Sequence, residues 1–173
     1  MTVAVYSGSF DPITLGHLDM VRRALKVFDE IVIAIGVNQK KTPMFTGEER
    51  TALIKQAIRE DEALRAQAGR IQIEQTSGLL AEFAQAVGAN AIIRGVRSAG
   101  EFESETAMGL LNRQLTGIET VLLIADPALS HVSSSAVKEI AAFGGPIGGM
   151  VPAVVADAIA EKFDGGRFGL AAE

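Results

Sequence analysis

The chain has no cysteine and no tryptophan, only two histidines, and 5% aromatic residues in a length of 173. Without cysteine there is no disulfide, no thiolate nucleophile and no Cys-ligated zinc. So few aromatics leave little from which to build a base-stacking platform for single-stranded nucleic acid. Positive charge is also short, with 16 Lys and Arg against 21 Asp and Glu and a net charge of -5. A general nucleic-acid binder needs the opposite balance over its surface, so no nucleic-acid partner is expected. A few basic residues gathered in one cleft still suffice for a small phosphate ligand. No apolar run approaches the roughly 20 residues that a spanning helix needs. The first residues lack the basic region and long apolar run of a signal peptide. A cytoplasmic protein without a membrane partner is expected.

What remains is an ordinary globular composition, 48% hydrophobic and 21% charged, at a length that fits one domain with a sizeable core over residues 1–173. Short, Val- and Ile-rich runs at Val3–Tyr6, Ile31–Val37, Ile71–Ile73, Ala91–Ile93 and Val121–Ile124 read as strands. Most are continuous rather than alternating, as when both faces of a parallel sheet are covered. Segments of helical period lie between them: Leu18–Phe28, the stretch after Thr46, Leu79–Val87, Phe102–Leu115 and Ala136–Phe143. Thr46 and Glu49 stand at capping-box spacing. Gly144–Gly149 reads as a loop, and a last helix is expected over about residues 152–163. Repeated βα units imply an α/β fold: a single Rossmann-like, doubly wound domain whose five-stranded parallel sheet is flanked by helices. Ligands in such sheets sit beyond the carboxyl ends of the strands, so the loops after the strands are where chemistry is sought.

The first of these is Ser7-Gly-Ser-Phe-Asp-Pro-Ile-Thr-Leu-Gly-His17. Gly8 lets the main chain approach a ligand closely. A helix starting near Gly16 offers N–H groups and a positive dipole end to an anion, and His17 stands at that end. Lys41 follows the second strand, where a flexible ammonium can reach a phosphate. Arg94 and Arg97 follow the fourth strand. Two guanidinium forks there can grip phosphates bidentately, or pair with Glu101, Glu103 or Glu105. Ser133-Ser-Ser135 opens a helix, with one serine as cap and further hydroxyls and N–H groups available to a phosphate. Asp11 is too embedded in its turn to read as a metal ligand.

The stretch GSFDPITLGH resembles the T/HxGH signature of the nucleotidyltransferase superfamily. Lys40-Lys-Thr-Pro-Met-Phe45, Ile93-Arg-Gly-Val-Arg97, Glu101-Phe-Glu-Ser-Glu105 and Val132-Ser-Ser-Ser-Ala-Val-Lys-Glu139 narrow the resemblance to the phosphopantetheine adenylyltransferases. That resemblance implies reversible transfer of the adenylyl group of ATP to 4′-phosphopantetheine in coenzyme A biosynthesis, giving dephospho-CoA and pyrophosphate. Ser9 matches a position that contacts both substrates. Phe10, His17, Gly95, Val96, Arg97 and Glu105 match ATP-binding positions, as does the run Leu129, Ser130, His131, Val132, Ser133, Ser134, Ser135. Lys41, Leu80 and Arg94 match the acceptor site, and Leu79 to Ala81 could wall an apolar trough for the pantetheine arm. The resemblance further implies Mg²⁺, a homohexamer and feedback inhibition by coenzyme A.

No nucleophile backed by a general base is visible, and a phosphate acceptor is already anionic, so direct in-line attack is the expected route. His17 and Lys41 would then stabilise the transition state. Alternatives are transfer to another phosphorylated acceptor such as nicotinate mononucleotide, or a nucleotide-binding sensor without catalysis.

Overall fold

In the computed structural model, residues 1–37 and 42–164 are described. Five strands run β1 (Val3–Gly8), β2 (Glu30–Gly36), β3 (Ile71–Thr76), β4 (Ala91–Val96) and β5 (Glu119–Ile124). They form one parallel sheet in the order β3-β2-β1-β4-β5. The chain thus winds outward from β1 to one edge, then returns to β1's other side with β4. That reversal opens a crevice between the carboxyl ends of β1 and β4.

Alternation along each strand sends side chains to two separate cores. Ala4, Tyr6, Ile31, Ile33, Ile35, Ala91 and Ile93 point to the larger one. There they meet helices α1 (Leu15–Ala24), α2 (Gly47–Glu60), α3 (Glu62–Arg65), α6 (Ser134–Ala142) and α7 (Ala153–Asp164). The intervening Val5, Val32, Ala34 and Ile92 point to a smaller core under α4 (Leu80–Ala86). A register slip of one residue would exchange the two sets, so the apolar pattern pins the register.

Helix α5 (Ala99–Thr116) packs against α4, β4 and β5, yet places no apolar side chain in either core. Its one buried residue is Asn112, while Phe102, Met108, Leu110, Leu111 and Leu115 are each more than half exposed.

Caps explain several boundaries. The box expected at Thr46 is present: Glu49 N–H donates to Thr46 Oγ1 at 3.2 Å, and Thr46 N–H to Glu49 Oε2 at 2.7 Å. Ser98 caps α5, which begins three residues before the expected Phe102, and Gly117 ends it at φ 77, a conformation glycine adopts freely. The first helix starts at Leu15 rather than Leu18 because Thr14 caps it. The short α3 has no counterpart in the apolar periodicity; Asp61 caps it by accepting from Leu64 N–H at 3.0 Å.

Candidate active site

The loop leaving β1 is built around a buried carboxylate. Asp11, 4% exposed, accepts from Met44 N–H at 2.9 Å and Phe45 N–H at 2.8 Å. Lys138 of α6 pairs with the same carboxylate at 3.3 Å. Before it, Phe10 takes φ 46, the left-handed region that a non-glycine side chain adopts only under surrounding constraint. Its ring is buried beneath Gly8, where an added Cβ would meet it at 3.2 Å. A side chain at position 8 would therefore press on the Phe10 ring.

His17 rests on that ring, with centroids 5.0 Å apart in an edge-on arrangement. Thr14 and His17 form a capping box in which the histidine takes the place usually held by Glu or Gln. His17 N–H donates to Thr14 Oγ1 at 3.3 Å, and Thr14 N–H donates to His17 Nδ1 at 3.0 Å. Because Nδ1 accepts, the proton of the neutral ring belongs on Nε2. Burial pushes the imidazole pKa down to about 4, and the nearby Arg97 charge adds to the effect. At neutral pH His17 is an uncharged donor with a fixed tautomer.

A cleft of about 320 Å³ opens over His17 and Ser9. Arg94, Gly95, Arg97 and Glu105 line one side, and Leu129, Val132 and Ser133 to Ser135 the other. Both arginines are already engaged. Glu105 receives a bidentate pair from Arg94, Nε and Nη2 each at 2.7 Å, and Arg94 Nη1 donates to Ser7 O at 3.0 Å. Arg97 pairs with Glu101 and also donates to Val132 O across the cleft at 3.1 Å. Both guanidiniums therefore pair with carboxylates, which a phosphate would have to share or displace.

The three serines divide their roles. Ser133, rather than a residue of the helix, is the N-cap of α6 and accepts from Ala136 N–H at 3.1 Å. Ser134 Oγ donates to Pro12 O at 2.8 Å, tying α6 to the first loop. Ser135 is exposed at the cleft. Two hydroxyls serve structure where one was expected, although Ser133 still has its own O–H to donate.

Four expected contact residues stand back from this cleft. Phe10 is buried beneath it at 1% exposure and Val96 is buried at 7%. Ser130 Oγ donates to Pro127 O at 2.9 Å, and His131 is exposed outside the lining. A second depression of about 790 Å³ shares Ser7, Gly8 and Ser9 with the first. Leu80 lines it together with Ala34 and Val37, alongside Thr76, Ser77 and Gly78. Ala81 is 1% exposed and packs inward, a correction to its place in the trough. Lys41 lies outside the described residues.

Sequence reasoning missed Thr14 as the residue that sets His17's tautomer. Its signal was present as Thr-x-x-His at capping-box spacing.

A strand-order reversal, a helix start and serines at a second helix start converge on one cleft, the arrangement of a phosphate-binding site in a doubly wound sheet. Residues 5–140 match the model of the cytidylyltransferase-like family. The phosphopantetheine adenylyltransferase of Bifidobacterium longum is 45% identical over 166 residues, covering 94% of this chain and 97% of the relative. That of Clavibacter michiganensis is 47% identical over 161 residues, covering 92% and 96%. This chain belongs to the phosphopantetheine adenylyltransferase family. Among solved structures, a Plasmodium falciparum nicotinic acid mononucleotide adenylyltransferase complexed with NaAD aligns with TM-score 0.65 and 15% identity, covering 97% of this chain and 98% of that one. That likeness shows the fold alone.

The depressed imidazole pKa has a consequence for stability. Between about pH 4 and 6.5 the unfolded chain binds the His17 proton and the folded chain does not, so stability rises with pH across this window. The contribution is full above pH 6.5 and lost as pH falls toward about 4. His17→Asn lacks this proton linkage. Urea unfolding at a series of pH values should show the parent losing stability relative to the variant as pH drops from 6.5 to 4; parallel curves would refute the buried neutral imidazole.

Proposed function

We propose that this chain transfers the adenylyl group of ATP to the phosphate of 4′-phosphopantetheine, releasing pyrophosphate and forming dephospho-CoA. The observation that carries the reading is the pair of depressions meeting at Ser7, Gly8 and Ser9. One has arginines and a serine-capped helix start suited to a triphosphate; the other, past Leu80, has room for an extended acceptor. Their shared edge is where an acceptor phosphate and an α-phosphorus would come together.

In this reading an oxygen of the acceptor phosphate attacks the α-phosphorus in line, and the bond to the β-phosphate oxygen breaks. The acceptor is already an anion, so no general base is required. His17 Nε2–H would donate to an α-phosphoryl oxygen as charge redistributes there. Being protonated, Nε2 has no lone pair for covalent attack, and Nδ1 is occupied by Thr14. Ser9 would bridge both substrates, with Phe10 and Val96 acting through the loop and strand they belong to. Ser133 to Ser135 and Arg97 would hold the departing pyrophosphate, while Lys41 and Arg94 would bind the acceptor phosphate. Among the described residues no group of three or more His, Cys, Asp or Glu could hold a metal. Mg²⁺, which the family resemblance implies, would enter with the ATP phosphates rather than on a carboxylate cage and would supply charge neutralisation there.

Assembly into a homo-oligomer, hexameric by family, is part of the proposal. The exposed apolar residues of α5 and a mean hydropathy of +0.26 support it, since a monomer seldom leaves such a face in water. The second copy would cover α5. None of the described helices is long and apolar enough to cross a membrane.

Pyrophosphate release from ATP should require 4′-phosphopantetheine, which should exceed nicotinate mononucleotide as acceptor in kcat/KM. The reverse preference would leave only the wider family assignment standing. His17→Ala should lower kcat by about 10²–10³-fold, the loss of about 3–4 kcal/mol typical of a preorganised donor, with the Kd for ATP little changed. A large rise in that Kd with normal kcat at saturation would make His17 a ground-state clamp instead. Sedimentation at micromolar concentration should find a species several times the 18.2 kDa chain mass; a sole monomer would sink the assembly proposal.

A further inference from the structure

Arg50, in the opening turns of α2, is 3% exposed. A guanidinium tolerates such burial only when its donors are met. Here the Nε and Nη1 donors are met by backbone carbonyls. Nη1 donates to Ser9 O at 2.7 Å and to Gly36 O at 3.0 Å, and Nε to Thr46 O at 3.3 Å. Among the described residues no carboxylate forms an ion pair with it. Charge pairing therefore does not explain its place. The two shorter bonds join the last residue of β2 to the loop leaving β1, at Ser9, where both depressions meet. The next residue, Phe10, holds a backbone conformation that needs external constraint.

We infer that Arg50 is a positioning residue for adenylyl transfer: its clamp on the Ser9 and Gly36 carbonyls sets the Ser9 hydroxyl, and through it the acceptor phosphate, in line with the α-phosphorus. The inference rests on the adenylyl-transfer reading of the cleft. Arginine suits the task because its planar, rigid fork fixes the direction of each donated bond. A lysine keeps the charge on a flexible stem and fixes neither direction. Most of the triphosphate side of the cleft lies on other elements, α1, α6 and the residues after β4. Loss of the clamp should therefore disturb the acceptor and the rate more than ATP binding, which keeps its contacts on those elements.

The test uses the full-length chain with Arg50→Lys and Arg50→Ala. Arg50→Lys should fold, bind ATP with nearly unchanged Kd, lower kcat by about 10²-fold, and raise the acceptor KM more than the ATP KM. Millimolar guanidinium chloride, but not sodium chloride, should restore part of the rate lost in Arg50→Ala. Parental kcat and acceptor KM in Arg50→Lys would overturn the inference. So would equal losses in rate and ATP binding that follow the folded fraction, since these mark a purely structural role. Hydrogen exchange at the Ser9 and Phe10 amides reads the clamp without any substrate. Faster exchange in Arg50→Lys is expected, and unchanged exchange overturns the clamp even if the parent uses another acceptor. Failure of the parent chain itself to use 4′-phosphopantetheine would instead sink the adenylyl-transfer reading.

Discussion

The carboxylate of Asp11 lies where three chain segments that share no strand pairing must be held together. It accepts the amides of Met44 and Phe45 and faces the ammonium of Lys138. Through it the first loop, the approach to α2 and the serine-capped helix α6 occupy fixed relative positions. Hydrogen bonds to a charged group contribute about 1.5–3 kcal/mol each, and their loss would also strand a buried charge. Substitution of this residue would be felt in the cleft even though Asp11 does not line it. Arg50 does the complementary task with the opposite charge, binding carbonyls where Asp11 binds amides. The floor of the site is thus held by one buried anion and one buried cation that do not pair with each other.

Above that floor, the proposed chemistry would fall to a histidine held in a single state. Thr14 fixes its tautomer, Phe10 supports its ring, and burial keeps it uncharged. What remains is a single oriented N–H at the positive end of a helix. Such a group suits a reaction in which charge moves among phosphate oxygens and no proton need be transferred. The arginines differ in kind. Each rests on a glutamate, Arg94 on Glu105 and Arg97 on Glu101, so in the proposed reaction incoming phosphates would meet guanidiniums already oriented by carboxylates.

Much of this was legible in the sequence, and the reasons are local. Continuous Val and Ile runs mark strands covered on both faces, and Thr46 with Glu49 marks a helix start, because each depends on residues close in the chain. The Gly8 to His17 loop was legible through its density of constrained residues. Arg50 was not, since an arginine in the first turns of an amphipathic helix has the same sequence signature whether it faces water or a neighbouring loop. The pairing of both arginines was open for a related reason: Glu101, Glu103 and Glu105 all lie within reach in sequence, and only the helical phase of α5 selects among them. Ala81 shows the reverse case, in which a small apolar residue expected beside a trough is buried instead.

The strand order has a consequence for how the chain matures on the ribosome. Val3 at the start of β1 bonds to Asn90, 87 residues later, whereas Thr2 meets Asp29 after only 27. The half containing β1, β2 and β3 emerges first and can pair at short range, but the cleft has no second wall until β4 and α6 have been synthesised and docked. Such long-range pairing closes slowly. A nucleotide that touches both halves binds only the finished arrangement and adds its binding free energy to that closure. Occupancy of the cleft would therefore mark a chain whose two halves have come together.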